Sequence, residues 1–334
     1  MLILNDPNKK LGAENIERPR LSTVLLKNEP RSFDSLVTLP SNVQAAEAAL
    51  LFGAGRLPFV SLVGPSGWGK SHLLEASAQA LRQVNRDCSP QVVNAEDWVQ
   101  TAHRLDPLEP LLIDNVQEAI DQHKSRLQLR LAIERRIRAG RPTMLAFTAP
   151  KVTRAIRNFL PNHHAWVVTE IESPTATERE RLVRTMSRTE GLALSESLQW
   201  LLARKLLGDG RTLIGAFQRL KLADSKWLDG AATLRALGVL TPFFADNVTW
   251  DLREIIFESA VSRCRTDWNR DLATYVMLKV ALIPEAEVAQ FFEVKPATAY
   301  ARAVAFQKRM DQSDDIRSQT RRFIEEVVDR LRTA

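Results

Sequence analysis

The hydrophobic pattern changes near Pro174, and this change divides the chain into two parts. Before it, short apolar runs typical of buried strands alternate with helical periodicity, which predicts a parallel sheet covered by helices on both faces. The predicted strands are 58–63, 92–94, 110–115, 143–148 and 166–168. After it the pattern is wholly helical, with predicted helices at 175–189, 195–206, 211–222, about 247–265, 269–281, 285–292, 296–309 and 315–332.

A glycine-rich loop follows the first predicted strand. Its residues fit G-x-x-x-x-G-K-[ST], the phosphate-binding loop of nucleoside triphosphatases, and are Gly64, Pro65, Ser66, Gly67, Trp68, Gly69, Lys70 and Ser71. Glycines let backbone N–H groups surround the phosphates, and the helix predicted at 72–81 directs its N-terminus at the same anion. The motif predicts ATP or GTP binding, with Lys70 at the β- and γ-phosphates and Ser71 on Mg²⁺. We expect Trp68 to be a lid or packing residue.

An acidic side chain ends the predicted strand 110–115. A buried strand rarely carries a carboxylate without a partner, and Asp114 lies where the carboxyl ends of parallel strands meet. The sequence therefore predicts that Asp114 lies near Mg²⁺, together with Ser71.

Composition and charge narrow the class of protein. The 334 residues are 45% hydrophobic and 26% charged, as in soluble globular domains, and no apolar run is long enough to span a bilayer. With two distant cysteines, we expect a cytoplasmic protein without a disulfide framework or a zinc site. A basic block indicates single-stranded DNA or another anionic partner, or else a solvated helix face. Its members are Lys124, Arg126, Arg130, Arg135, Arg136, Arg138, Arg141, Lys151, Arg154 and Arg157.

Taken together, these stretches resemble the DnaA family of bacterial replication initiators, which are AAA+ proteins. The resemblance rests on Phe33-Asp34 with Pro40-Ser41-Asn42 (a segment against the adenine), 65–74 (the phosphate loop), 111–117 (the second acidic motif), 210–220 (the sensor-2 helix) and the C-terminal helices. It implies an α/β fold in which an AAA+ parallel sheet precedes a helical lid and an all-α helix-turn-helix domain. The implied units are an N-terminal arm (1–31), the nucleotide-binding core (32–172), the lid (173–240), a connector helix (241–268) and the helix-turn-helix domain (269–334).

The resemblance also implies residue roles. Arg211 would contact the γ-phosphate of ATP, unless it is a surface arginine at a helix start. Lys295, Thr298 and Arg302 would lie on a recognition helix, while Arg263, Arg265 and Arg270 would hold phosphates of double-stranded DNA. The alternative is a helical domain with ordinary surface charge, since 241–334 carries 14 Lys and Arg against 15 Asp and Glu. Tyr300 and Phe306 have helical spacing, and we expect both in the core.

In the DNA-reading motif only Thr298 matches the family, with Lys295 in place of an arginine, and three positions of the nucleotide site also depart from the family pattern. Asn115 replaces the second acid, Thr148-Ala149 replaces Ser-Asp, and Asn162 stands at the arginine finger, for which Arg154 or Arg157 could substitute. An amide cannot accept a proton from water, so we expect ATP binding with weak or no hydrolysis. The leading hypothesis is a nucleoid-associated, DnaA-like protein of replication initiation or its regulation, which could self-assemble or bind replication proteins. The alternatives are an ATP-dependent regulatory interaction protein, or a helicase loader or transposition helper, that does not read DNA sequence.

Overall fold

The first part of the protein is a five-stranded parallel sheet with helices on both faces, as predicted. The computed structural model describes residues 31–223, 226–244, 252–262 and 267–333. The strand order is β2-β3-β4-β1-β5. The elements are α1 (Val43–Gly53), β1 (Phe59–Gly64), α2 (Lys70–Val84), β2 (Gln91–Asn94), α3 (Trp98–Thr101), β3 (Leu111–Asp114), α4 (Val116–Asp121), α5 (His123–Arg138), β4 (Thr143–Thr148), α6 (Arg154–Phe159) and β5 (Val167–Glu170).

The strands are apolar because both faces of the sheet are buried. Along β1, Phe59 and Val63 enter one core with α4–α6, whereas Val60 and Leu62 enter a second core with α1 and α2. Gly64 pairs with Thr148 in the register of β1 and β4. The carboxyl ends of β1, β3 and β4 therefore lie side by side, and they carry the residues of the candidate nucleotide site.

Within the described residues after Pro174, the chain is helical except for one small sheet, so the prediction of a wholly helical pattern is wrong there. Two parallel strands pair there, with Ala193 opposite Lys226 and Leu194 opposite Trp227. Each strand is too short to leave a periodic signal in the sequence, so the pattern could not predict it. The elements are α7 (Ala176–Thr189), β6 (Ala193–Leu194), α8 (Glu196–Arg204), α9 (Gly210–Ala223), β7 (Lys226–Trp227), α10 (Gly230–Val239), α11 (Thr241–Phe244), α12 (Leu252–Val261), α13 (Asp267–Tyr275, continued by a π-helical turn, Val276–Val280), α14 (Glu285–Phe291), α15 (Pro296–Gln312) and α16 (Asp314–Thr333).

The predicted lid and the C-terminal helices share one hydrophobic core. Leu198 and Leu202 of α8 belong to the same buried cluster as Val327 and Leu331 of α16. A side chain at Gly238 of α10 would collide with the carbonyl oxygen of Ala281, so only glycine permits this approach. Residues 1–30, 245–251 and 263–266 of the predicted arm and connector lie outside the described residues. No helix of the described part is long and apolar enough to cross a membrane.

Candidate nucleotide site and the C-terminal helix pair

The phosphate loop connects β1 to α2 and positions Lys70 as the first residue of that helix. Gly67 and Gly69 have φ of 76° and 97°, the left-handed region that favours glycine. Lys70 is only 5% exposed, and its Nζ donates to the carbonyl oxygens of Gly64 (2.9 Å) and Pro65 (2.7 Å). Burial lowers the pKa of Lys70 to about 8, and the nearby charge of Arg211 adds to this, although Asp114 opposes it.

Ser71 and Asp114 meet beside the loop, as the sequence predicts. The Ser71 hydroxyl donates to Asp114 Oδ2 at 2.5 Å, and Asp114 Oδ1 accepts from the backbone N–H of Asn115 at 2.9 Å. Hydroxyl and carboxylate oxygens are the donors that Mg²⁺ prefers. This pair could therefore hold a magnesium ion that also binds phosphate oxygens.

Of the two positions aligned with the family's catalytic residues, Asn115 directly follows Asp114, and Thr148 pairs with Gly64 at the start of the phosphate loop. Asn115 has φ of 51° in the left-handed region, and Thr148 ends the strand between β1 and β3. The backbone N–H of Thr148 donates to Gln117 Oε1 at 2.8 Å. Gln117 therefore ties the end of β4 to α4, a contact that the sequence reasoning missed because no local pattern joins the two segments.

The start of α9 lies directly on the phosphate loop. Asp209 Oδ1 accepts from the N–H groups of Arg211 (2.9 Å) and Thr212 (3.1 Å), which fixes the first turn of the helix. A Cβ at Gly210 would lie 2.5 Å from the Gly67 carbonyl oxygen, and a Cβ at Gly67 would collide with the Asp209 carboxylate. Arg211, exposed at this turn, is thereby brought to the site of Lys70.

Two further side chains join the lid to the core. Arg179 of α7 lies over the Trp68 ring, with its guanidinium carbon 5.6 Å from the ring centroid. Glu178 Oε1 accepts from the Ser41 N–H at 2.8 Å. Burial raises the pKa of Glu178, but the hydrogen bonds that the carboxylate accepts from Thr175 and Ser41 outweigh this effect, so the pKa lies below its usual value. The sequence predicts a lid or packing role for Trp68, but no local pattern marks Arg179 or Glu178 as its neighbours in the lid.

The basic block divides into buried and exposed members, and Arg136 does not belong to its surface. Arg136 is 8% exposed, and its guanidinium donates to Thr143 Oγ1 and to the carbonyl oxygens of Pro107, Glu109 and Pro142. These acceptors, at the start of β4 and in the loops beside it, satisfy the guanidinium. The pattern of charges in the sequence does not show that Arg136 is buried. The exposed members are Lys124, Arg126, Arg135, Arg138, Lys151, Arg154 and Arg157.

The segment aligned with the arginine finger lies beside the edge strand β5. Asn162 is exposed, with φ of 47°, at the residue before a short 3₁₀ turn. Arg157 and His163 line a groove of about 430 Å³ there, together with Glu170 of β5. Arg157, rather than Arg154, is the cation that lines this groove.

The predicted recognition helix is α15, which follows α14 after a four-residue connection. Lys295 and Thr298 are exposed and Arg302 is half-buried. Arg270 donates to the Phe292 carbonyl oxygen (2.9 Å) and stacks on the Phe292 ring, so it holds the connection as well as facing solvent. Arg263 and Arg265 lie outside the described residues.

Of the two aromatic residues expected in the core, one is buried. Phe306 is fully buried, whereas Tyr300 is 48% exposed, so the expectation for Tyr300 is wrong. Lys279 Nζ lies 4.2 Å from the Tyr300 ring centroid. This ammonium stabilises the exposed ring by a cation–π contact.

Comparison with known proteins gives one consistent result. No protein-family model matches the chain. Chromosomal replication initiator protein DnaA of Dechloromonas aromatica is 24% identical over 207 residues, which cover 57% of this chain and 44% of that protein. DnaA of Chromobacterium violaceum is 24% identical over 233 residues, covering 64% and 50%. The chain thus spans about half the length of the curated relatives it matches.

Solved structures show the same fold. Domain III of Thermotoga maritima DnaA has a TM-score of 0.55 at 21% identity and covers 65% of this chain and 98% of that one. DnaA bound to AMPPCP and single-stranded DNA has a TM-score of 0.52 at 15% identity, with coverage of 91% and 99%. Relatives in sequence and neighbours in structure agree: the chain is similar to the replication initiator DnaA in sequence and shares the fold of its domain III.

Proposed function

We propose that the protein binds ATP and DNA and acts in replication initiation or its regulation. The observation that carries the proposal is the convergence of Lys70, the Ser71–Asp114 pair and the Arg211 turn at one edge of the sheet. These groups come from the phosphate loop, β3 and the lid, and together they offer cations and oxygen ligands to a triphosphate. The AMPPCP bound to a DnaA structure of similar fold supports this assignment.

In the proposed site the loop from Gly64 to Ser71 surrounds the phosphates. Lys70 exchanges its carbonyl partners for phosphate oxygens, and Arg211 approaches the γ-phosphate from the lid. Ser71 and Asp114 would hold Mg²⁺, which would neutralise phosphate charge. Asn115 cannot act as a base towards the attacking water, so the protein binds ATP and hydrolyses it very slowly.

The C-terminal helix pair supplies the proposed contact with double-stranded DNA. The four-residue connection and the exposed start of α15 support a helix-turn-helix role, in which Lys295 would contact a phosphate and Thr298 a base edge. The exposed cations of α5 and α6 provide a second, sequence-independent surface for single-stranded DNA. Self-assembly, or the binding of a replication protein, would use surfaces of the chain other than these two.

Nucleotide binding is tested by titrating labelled ATP against the wild type and Lys70→Ala. The variant should lose ATP binding, because it lacks the charge that meets the β- and γ-phosphates, while its far-UV circular dichroism stays unchanged. Equal affinity of the two proteins would refute the phosphate-loop assignment.

DNA binding is tested on the full chain with duplexes at several salt concentrations. Lys295→Ala should weaken binding to all sequences alike and flatten the salt slope by roughly one unit, whereas Thr298→Ala should alter sequence preference. Arg302→Ala is expected to have a smaller effect than Lys295→Ala, because Arg302 is half-buried. No measurable affinity of the wild type at low salt would contradict this part of the proposal.

A second candidate is an ATP-dependent interaction protein that does not read DNA sequence. It is favoured by the balance of 14 basic against 15 acidic residues over 241–334 and by the engagement of Arg270 with Phe292. The same salt series separates the two candidates. If the second is right, Lys295→Ala leaves the affinity for every duplex unchanged.

A further inference from the structure

Arg179 connects the phosphate loop to the end of α8. Its Nε donates to the Ala203 carbonyl oxygen (2.8 Å), and its Nη atoms donate to those of Leu206 (2.5 Å) and Gly208 (3.0 Å). The face of the same guanidinium lies over Trp68, within the phosphate loop. One half-buried cation therefore holds both the turn that precedes α9 and a ring of the nucleotide site.

From α8 the contacts continue to the C-terminal helices. Leu198 and Leu202 of α8 pack in one core with Val327 and Leu331 of α16, and Arg332 lies over the Trp200 ring, 5.7 Å from its centroid. Gly230 at the start of α10 donates its N–H to Glu325 Oε1 at 3.3 Å. Since α16 packs on α15, a displacement of the lid carries the candidate recognition helix with it.

We propose that the Arg179–Trp68 contact couples ATP at the phosphate loop to DNA affinity at α15. The inference rests on the proposed function and names the regulation of its DNA site. ATP reorders the loop that carries Trp68, Arg179 follows the ring, and the shared core moves with Arg179. Because coupling is reciprocal, duplex DNA must change ATP affinity by the same factor by which ATP changes DNA affinity.

The test uses the whole chain and measures that factor twice, from duplex affinity with and without saturating ATP and from ATP affinity with and without duplex. For the wild type we expect a factor of about 2 to 30, the range of one cation–π contact. Arg179→Met removes the cation and should bring the factor close to one. Arg179→Lys keeps a charge over the ring and should retain more of it.

A second pair of variants keeps the test informative if Arg179→Met does not fold. Trp68→Leu removes the ring face and should lower the factor, whereas Trp68→Phe retains an aromatic face and more of the factor. ATP saturation is measured separately for each variant. The double variant Trp68→Leu/Arg179→Met should lower the factor no further than either single change, since both remove one contact.

The outcomes distinguish failure of the proposed function from failure of the Arg179–Trp68 coupling alone. A wild type that binds no ATP or no DNA overturns the proposed function, and this inference with it. A wild type that binds both with a factor of one overturns only the inference. A wild-type factor that persists in Trp68→Leu and in folded Arg179→Met shows that the coupling does not pass through this contact, which also overturns it.

Discussion

Removal of the Arg136 guanidinium should destabilise the fold strongly, although Arg136 belongs to a run of basic residues in the sequence. Burial lowers its pKa to about 10, so the group stays charged at neutral pH and its hydrogen bonds are charge-assisted. Arg136→Met leaves one hydroxyl and three carbonyl oxygens without this donor. At about 1 kcal/mol or more for each bond, we expect a loss of at least about 4 kcal/mol in the free energy of unfolding.

The assay is urea unfolding followed by circular dichroism, with Arg135→Met as the matched control. Arg135 is the adjacent residue and is exposed, so the control removes the same charge without emptying a buried site. At a slope of about 2 kcal/mol per molar urea, the Arg136→Met midpoint falls by roughly 2 M, whereas the control shifts little. Equal midpoints for the two variants would refute the reasoning that burial, and not surface charge, determines the role of Arg136.

Three further predictions concern the site and the helix pair. Above pH 8, ATP affinity should fall by up to tenfold for each pH unit, because burial lowers the pKa of free Lys70 to about 8 and the bound triphosphate retains that proton. Calorimetry at several pH values measures this, and an affinity that stays constant from pH 8 to pH 10 would contradict it. Asn115→Asp should raise single-turnover ATP hydrolysis by about 10²-fold or more, since it supplies a carboxylate, and an unchanged rate would show that the base is not the missing group. Glu293→Gly should stabilise the protein by about 1 kcal/mol in urea unfolding, because Glu293 has φ of 54°, whereas a lower midpoint would indicate a stabilising side-chain contact.

The sheet, and the meeting of the residues of the candidate phosphate site, are predictable from the sequence because their determinants are local. Buried parallel strands must be apolar along their whole length, so the runs at Phe59–Gly64 and Thr143–Thr148 are visible without a partner. The phosphate loop encodes its own backbone conformation in its glycines. Lys70, Ser71 and Asp114 then follow from the order of strands in this architecture.

The remaining contacts depend on residues far apart in the chain. Arg179 bonds to carbonyls 24 to 29 positions away, and Arg136 bonds to one 29 positions away, so neither leaves a periodic signal. In the sequence a buried arginine and a solvated one have the same appearance. Tyr300 shows the reverse case, since helical spacing predicts a buried ring where the structure has an exposed one.

The core shared by α8, α10 and α16 has a consequence for how this protein can be divided. A cut after residue 240 would expose Leu198 and Leu202 on one fragment and Val327 and Leu331 on the other. Such fragments would associate through these surfaces or aggregate. Exchange of the C-terminal helices between relatives by recombination would therefore succeed only when the lid is exchanged with them. The smallest exchangeable unit of this chain begins near α7.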